Sequence, residues 1–219
     1  MSDTHLWKKD YTPGAYNTRN QSIMNTKIQE ILLSSIAVKQ TIAHDEAMIE
    51  TIFEVAEAIT NAFRNGKRVY FCGNGGSAAD AQHLAAEFSG RFYKDRAVLP
   101  SEALHCNTSY LTAVANDYGF NEAYARIAGS FTQGDVLVGL STSGNSENIV
   151  RALEVCRTRG AITIGLTGEG GGKMKLLSNF WIGVPSNDTP RIQEAHITIG
   201  HIICQLVEES LFGNNDSLS

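Results

Sequence analysis

The sequence predicts an α/β protein: a parallel sheet with helices on both faces. Three observations carry this. A glycine, an apolar strand-length run, a Gly/Ser-rich turn and a helix-length stretch follow one another three times, starting from Gly66, Gly134 and Gly160. That alternation is the mark of parallel strands linked by crossover helices. The composition agrees: 42% apolar residues with 20 Gly and only 4 Pro suits a compact α/β domain and is too apolar for a disordered chain. At 219 residues one domain is the better expectation. In such sheets ligands bind at the carboxyl ends of the strands, which is where the three turns fall.

Taken in order, residues 1–20 are polar, with Pro13, Gly14 and several Asn and Thr, and read as a mobile arm that Trp7 and Tyr11 dock on a partner subunit. The domain is expected over 21–213, with a short tail at 214–219. Ser22 to Gln40 places Ile23, Ile28, Ile31, Leu32, Ile36 and Val38 at helical spacing. A second helix is expected from Asp45 to Arg64, its apolar stripe formed by Ile49, Ile52, Phe53, Val55, Ala56, Ile59 and Phe63, with Asn65-Gly66 ending it. Two helices before the first strand leave apolar surface for the sheet and for oligomerisation.

Strands are expected at Arg68–Cys72, Glu102–Cys106, Asp135–Leu140, Ala161–Leu166 and Asn179–Val184. Helices are expected at Ser77–Phe88, Ser109–Asn116, Glu122–Phe131, Glu147–Thr158, Lys173–Leu177 and Pro190–Phe212. Pro190 suits a first helical position, with Thr189 or Asp188 as cap.

Charge and cysteine usage narrow the class. A net charge of −5 argues against non-specific nucleic-acid binding. Met1 to Tyr16 lacks the apolar core of a secretory signal, and no stretch approaches the ~20 apolar residues of a membrane span. Cys72, Cys106, Cys156 and Cys204 form no C-x-x-C pair and fall in apolar patterns. They read as buried free thiols of a cytoplasmic protein.

The chemistry gathers at two turns and two helices. Gly73-Asn74-Gly75-Gly76-Ser77 ends the first strand and opens a helix. It is either a tight βα turn or an anion site made of backbone N–H groups and the helix dipole. It is neither a Walker A loop nor G-x-G-x-x-G. Ser141-Thr142-Ser143-Gly144-Asn145-Ser146 puts four hydroxyls within six residues at a helix N-terminus. One hydroxyl suffices for a cap, so the surplus points to a ligand such as a phosphate monoester. His83 and Glu87 lie four apart on one helix face, and Gln193, Ile197 and His201 form a ridge on the last helix. His, Glu, Gln and His suit either a divalent metal, such as Zn²⁺, or a metal-free acid/base pair. His196 lies on a different face and reads as structural. Asn116-Asp117 either terminates a helix or hydrogen-bonds sugar hydroxyls.

Four of these stretches together resemble the sugar isomerase (SIS) domain family: Gly73-Asn74-Gly75-Gly76-Ser77, Ala115-Asn116-Asp117-Tyr118-Gly119-Phe120, Leu140-Ser141-Thr142-Ser143-Gly144-Asn145-Ser146 and Arg191-Ile192-Gln193-Glu194-Ala195-His196. The resemblance is closest to the branch that isomerises phosphorylated heptoses, and spans about Ile23 to Phe212. It implies a three-layer αβα sandwich on a five-stranded parallel sheet, and homotetramers with active sites at subunit interfaces. The implied reaction converts D-sedoheptulose 7-phosphate to D-glycero-D-manno-heptose 7-phosphate, for lipopolysaccharide or related glycans.

Carried onto this chain, the resemblance makes Ser77, Ser141, Thr142, Ser143 and Ser146 the phosphate site. Asn74, Gly75, Gly76, Asn116 and Asp117 line the sugar. Glu87 and His201 become the acid/base pair, and His83, Glu87, Gln193 and His201 the zinc ligands of some members. A carboxylate that is both ligand and base would have to loosen from the ion during turnover. The competing expectation is a non-catalytic relative that binds the replication initiator or senses a phosphosugar. That initiator-binding branch lacks the acid and imidazole present here as Glu87 and His201.

Overall fold

The computed structural model describes residues 18–213, with side chains from residue 21 onward. Trp7, Tyr11 and the tail at 214–219 lie outside the described residues, as does the arm up to residue 17. The chain falls into two compact units, one up to Ala37 and one from Val38 onward. Helix α1 (Thr18–Ala43) belongs to both. In its first part Ile23, Met24, Ile28, Leu32, Leu33 and Ile36 are exposed.

The second unit is the α/β sandwich. Its strands are β1 (Val69–Gly73), β2 (Ser101–Ala103), β3 (Val136–Ser141), β4 (Ile162–Gly168) and β5 (Phe180–Val184). They form one sheet in the order β2-β1-β3-β4-β5, parallel throughout. The expected Glu102–Cys106 strand is shorter and earlier. The Leu104 N–H still donates to the Phe71 carbonyl at 2.9 Å, but the chain then turns. Cys106 is therefore exposed, against the expectation for that thiol; Cys72, Cys156 and Cys204 are buried.

The strands are apolar on both faces because both faces are covered. Along β3, Val136, Val138 and Leu140 join one core, with Val69, Phe71, Ile164 and Leu166. Three helices pack on that side: α2 (Glu46–Arg64), α3 (Gly76–Ser89) and α8 (Thr189–Phe212). Leu137 faces the opposite core with Cys72, Tyr124, Ile149, Leu153 and Met174. The helices there are α5 (Ala123–Ala128), α6 (Glu147–Thr158) and α7 (Gly172–Leu177). Each buried Leu or Ile contributes roughly 1.5–3 kcal/mol. Helix α4 (Thr108–Tyr118) packs on α5 and on the 3₁₀ turn Phe120–Glu122, which takes the first residue of the helix expected from Glu122.

Helix α2 begins where capping chemistry places it: the Asp45 side chain accepts from the Met48 N–H at 3.0 Å. Its inward stripe is Ile52, Val55, Ala56, Ile59 and Phe63. Ile49 and Phe53, expected within that stripe, stay exposed and line an apolar groove of about 470 Å³ with Ile42 and Ile202. At α8 the cap position is Asp188, with Pro190 in the first turn, but the Asp188 side chain makes no capping bond. No described helix is long and apolar enough to cross a membrane.

Candidate active site

The strand order reverses between β1 and β3: the chain runs outward to β2, then back across to β4 and β5. The crevice at such a switch point is where a parallel α/β sheet binds ligands. Two predicted turns meet there, the β1–α3 corner and the β3–α6 loop. Asn74 and Asn148 exchange amide hydrogen bonds of 2.9 and 2.8 Å across it, with Asn148 buried at the start of α6. Each Asn74 amide group keeps a second hydrogen-bonding position. From the other side, the buried Tyr124 hydroxyl donates to the Gly73 carbonyl at 2.6 Å.

The hydroxyl loop is built as more than a cap. Ser146 stands at the cap position of α6, yet its side chain makes no capping bond. Its Oγ instead lies 2.9 Å from Ser141 Oγ, which lies 3.4 Å from Ser143 Oγ. The Ser143 hydroxyl also accepts from the Asn145 N–H at 3.1 Å. The cluster faces a helix N-terminus, where partial positive charge collects. Gly144, at φ +65°, packs so closely that a Cβ there would collide with the Gly171 carbonyl. Thr142 is tied to β4 through the Gly168 N–H, which donates to its carbonyl at 3.0 Å. Ser77 is buried in the first turn of α3.

The second cluster stands on helix faces. Two turns into α3, His83 Nε2 lies 2.9 Å from Glu87 Oε1. The two imidazoles of His83 and His201 meet edge to face, with centroids 5.0 Å apart. One ligand atom from each of His83, Glu87 and His201 lies within 4.8 Å of the others. His201 Nε2 is buried and has no hydrogen-bond partner among the described residues. Two imidazoles and a carboxylate around an orphaned nitrogen fit a borderline divalent cation such as Zn²⁺. Gln193 reaches back to the corner: a Cβ on Gly76 would stand 2.7 Å from its Nε2, so only glycine lets the amide lie there. The i, i+4, i+8 ridge of α8 thus spans from the corner to the His/Glu cluster.

The remaining predicted pair stands on α4. Asn116 and Asp117 are exposed in the last turn of α4, and the Asn116 amide donates to Asp117 Oδ1 at 2.9 Å. His196 is fully buried and hydrogen-bonds the Thr167 carbonyl through Nε2 at 3.1 Å. Burial pushes its pKa down to about 4, although the Thr167 bond pulls the other way.

Sequence reasoning passed over Asp80, Asn148, Arg96 and Glu208. Asp80 lies three residues before His83 on α3; burial raises its carboxyl against the lowering pull of His83 and His201, and its Oδ2 has no hydrogen-bond partner among the described residues. Its i, i+3, i+7 spacing with His83 and Glu87 was the available signal. Burial also pushes the Glu208 carboxyl up, but N–H bonds from Lys94, Tyr93 and Phe92 and the Arg96 guanidinium outweigh this and hold it below the usual range.

A parallel α/β sandwich with a hydroxyl-lined loop at a helix N-terminus beside its switch point suits a phosphorylated ligand. A family model, that of the SIS domain, matches residues 33–168. A phosphoheptose isomerase of Aneurinibacillus thermoaerophilus is 52% identical over 192 residues, covering 87% of this chain and 97% of that protein. Phosphoheptose isomerase 2 of Campylobacter jejuni is 50% identical over 195 residues, covering 89% and 97%. Among solved structures, a phosphoheptose isomerase from Neisseria gonorrhoeae superposes with a TM-score of 0.79 at 37% identity, covering 85% of this chain and 99% of that one. The chain belongs to the SIS-domain family, among its phosphoheptose isomerases.

Proposed function

We propose that this isomerase converts D-sedoheptulose 7-phosphate to D-glycero-D-manno-heptose 7-phosphate through an enediol, with Glu87 and His201 as its acid–base pair. The observation that carries the assignment is the convergence of the Glu87 carboxylate and the His201 imidazole on facing helices, within 4.8 Å. The isomerase names of relatives at about half identity support the enzymatic reading over the sensing or initiator-binding one.

The chemistry follows from the groups. Ser77, Ser141, Thr142, Ser143 and Ser146 bind the phosphate at the head of α6, while Asn74, Gly75, Gly76, Asn116 and Asp117 line the sugar. Glu87, oriented by its bond to His83, removes a proton from C1 of the ketose. His201 gives a proton to O2 and takes one from O1. Glu87 then returns its proton to C2, giving the aldose. A carboxylate and an imidazole are matched to such transfers near neutral pH. Zn²⁺ held by His83, Glu87, Gln193 and His201 would polarise the sugar carbonyl.

The exposed apolar residues of α1 and the Ile49–Phe53–Ile202 groove support assembly into a homotetramer with active sites at subunit interfaces. The product serves a heptose-containing glycan such as lipopolysaccharide, made from precursors in the cytoplasm. NMR of the purified enzyme with sedoheptulose 7-phosphate tests the reaction; no conversion by wild type sinks it. Retained activity in both Glu87→Gln and His201→Ala sinks the residue roles. Metal analysis with a chelator titration tests the ion, and a monomer in sedimentation contradicts the shared-site assembly.

A further inference from the structure

We propose that the buried Arg96–Glu208 pair is a positioning strut for the acid–base pair, acting on Glu87 through its main chain and on His201 through Phe92. The inference rests on the roles proposed above for Glu87 and His201.

Both side chains are only 3% exposed, and Arg96 Nε meets Glu208 Oε1 at 2.9 Å. The rest of the guanidinium is spent on main chain. Nη2 donates to the carbonyl of Glu87 itself at 2.8 Å. Nη1 donates to the carbonyls of Phe88, Gly90 and Ala97 at 2.9, 3.3 and 3.1 Å. Glu87 and Phe88 belong to the last turn of α3, whose carbonyls have no helical partner and favour a cation. The fork therefore holds the turn from which the Glu87 side chain leaves.

Glu208 acts on the other half. Its carboxylate accepts the Phe92, Tyr93 and Lys94 N–H groups at 3.3, 2.8 and 3.0 Å. The Phe92 ring so placed lies 5.7 Å from the His201 ring, tilted at 36°. Glu208 follows His201 by two turns of α8, on the same face. One ion pair thus fixes the end of α3, the chain leaving it, and the ring packed on the imidazole. The pair also satisfies main-chain groups that would otherwise be left unpaired, so it serves stability too, and only a kinetic readout separates the two roles. The polar arrangement delivers geometry, and displacement of a reacting group by ~1 Å costs about 100-fold in rate.

The test measures kcat, KM and melting temperature for Arg96→Lys, Phe92→Leu and the apolar double variant R96M/E208L, beside Glu87→Gln and His201→Ala. Arg96→Lys keeps the charge on Glu208 and loses the fork; the double variant keeps the packing and loses every main-chain contact. The expected result is a 10- to 100-fold fall in kcat for Arg96→Lys and the double variant, with KM within about 3-fold, and the double variant, which leaves main-chain groups unpaired, melting below wild type. Phe92→Leu, at a half-buried position, is expected to lose about 3-fold in kcat at unchanged KM and decides the matter if the Arg96 variants do not fold. Wild-type kcat in the folded variants overturns the strut, as does a rise in KM that matches the fall in kcat. If Glu87→Gln and His201→Ala keep wild-type turnover, the acid–base reading falls; if they lose it while Arg96→Lys and Phe92→Leu do not, the strut alone falls.

Discussion

The two ends of the site are built in opposite ways. The hydroxyl loop is six consecutive residues at the end of a fully buried strand, locked by backbone bonds to β4 and by contact with Gly171. The His83–Glu87–His201 cluster takes its members from helices more than a hundred residues apart and depends on how α3 and α8 meet. A phosphate is a fixed tetrahedral anion that a rigid, contiguous loop can match. A proton-transfer pair must be aimed at one carbon, so its precision comes from the packing of separate elements. The first kind of site is robust to changes elsewhere; the second inherits every displacement of its helices.

The sharpest way to separate the two ends is chemical. Glu87→Gln keeps shape and removes the proposed base, and is expected to lower kcat by roughly 10²–10⁴-fold with little change in KM. Steady-state kinetics check this, and a change confined to KM would place Glu87 at the binding end instead.

A second test asks whether acid can part the ends, since His196 ties α8 to the carboxyl end of β4. Its folded pKa of about 4 lies below the ordinary 6.5. Between those values the unfolded chain takes up a proton that the folded chain refuses. Stability from this group is therefore complete above pH 6.5 and lost as pH falls toward 4, by on the order of 3 kcal/mol. Melting curves from pH 7.5 downward should steepen their decline in that window, and His196→Gln should flatten it; an unchanged slope refutes the linkage.

At the other end, Ser141→Ala removes one proposed charge-assisted hydrogen bond to phosphate and should cost about 10–100-fold in kcat/KM, mostly as KM. A fall in kcat alone would assign Ser141 to the chemistry. The smallest effect concerns the bridge between the turns. Asn74→Ala and Asn148→Ala each leave a partner amide unpaired and should cost about 1–2 kcal/mol in urea unfolding, with the double variant well short of the sum. Full additivity would mean that the two amides do not act as a pair.

Most of the fold was legible. Each βα unit carries its own signal within some twenty residues: an apolar run, a glycine turn, a helical period. The exceptions mark where neighbours decide. β2 stops at Ala103, so Cys106 is exposed. Ile49 and Phe53 fit the helical period of α2 yet lie outside its buried stripe. The Asp188 side chain leaves α8 uncapped although its residue type fits the position.

The sequence by itself determined the alternation of strands and helices, the hydroxyl-rich loop and the pairing of His83 with Glu87, because each depends on residues within a few turns of one another. His201 was grouped with His83 and Glu87 as a candidate, and the tertiary structure brings it there; tertiary structure alone decided that Asn74 and Asn148 clasp across the switch point and that Arg96 finds Glu208 112 residues away. Contacts between elements leave no period in the chain. They arise when burying both faces of the sheet forces particular helices together, and this part of the site exists only once that packing is complete.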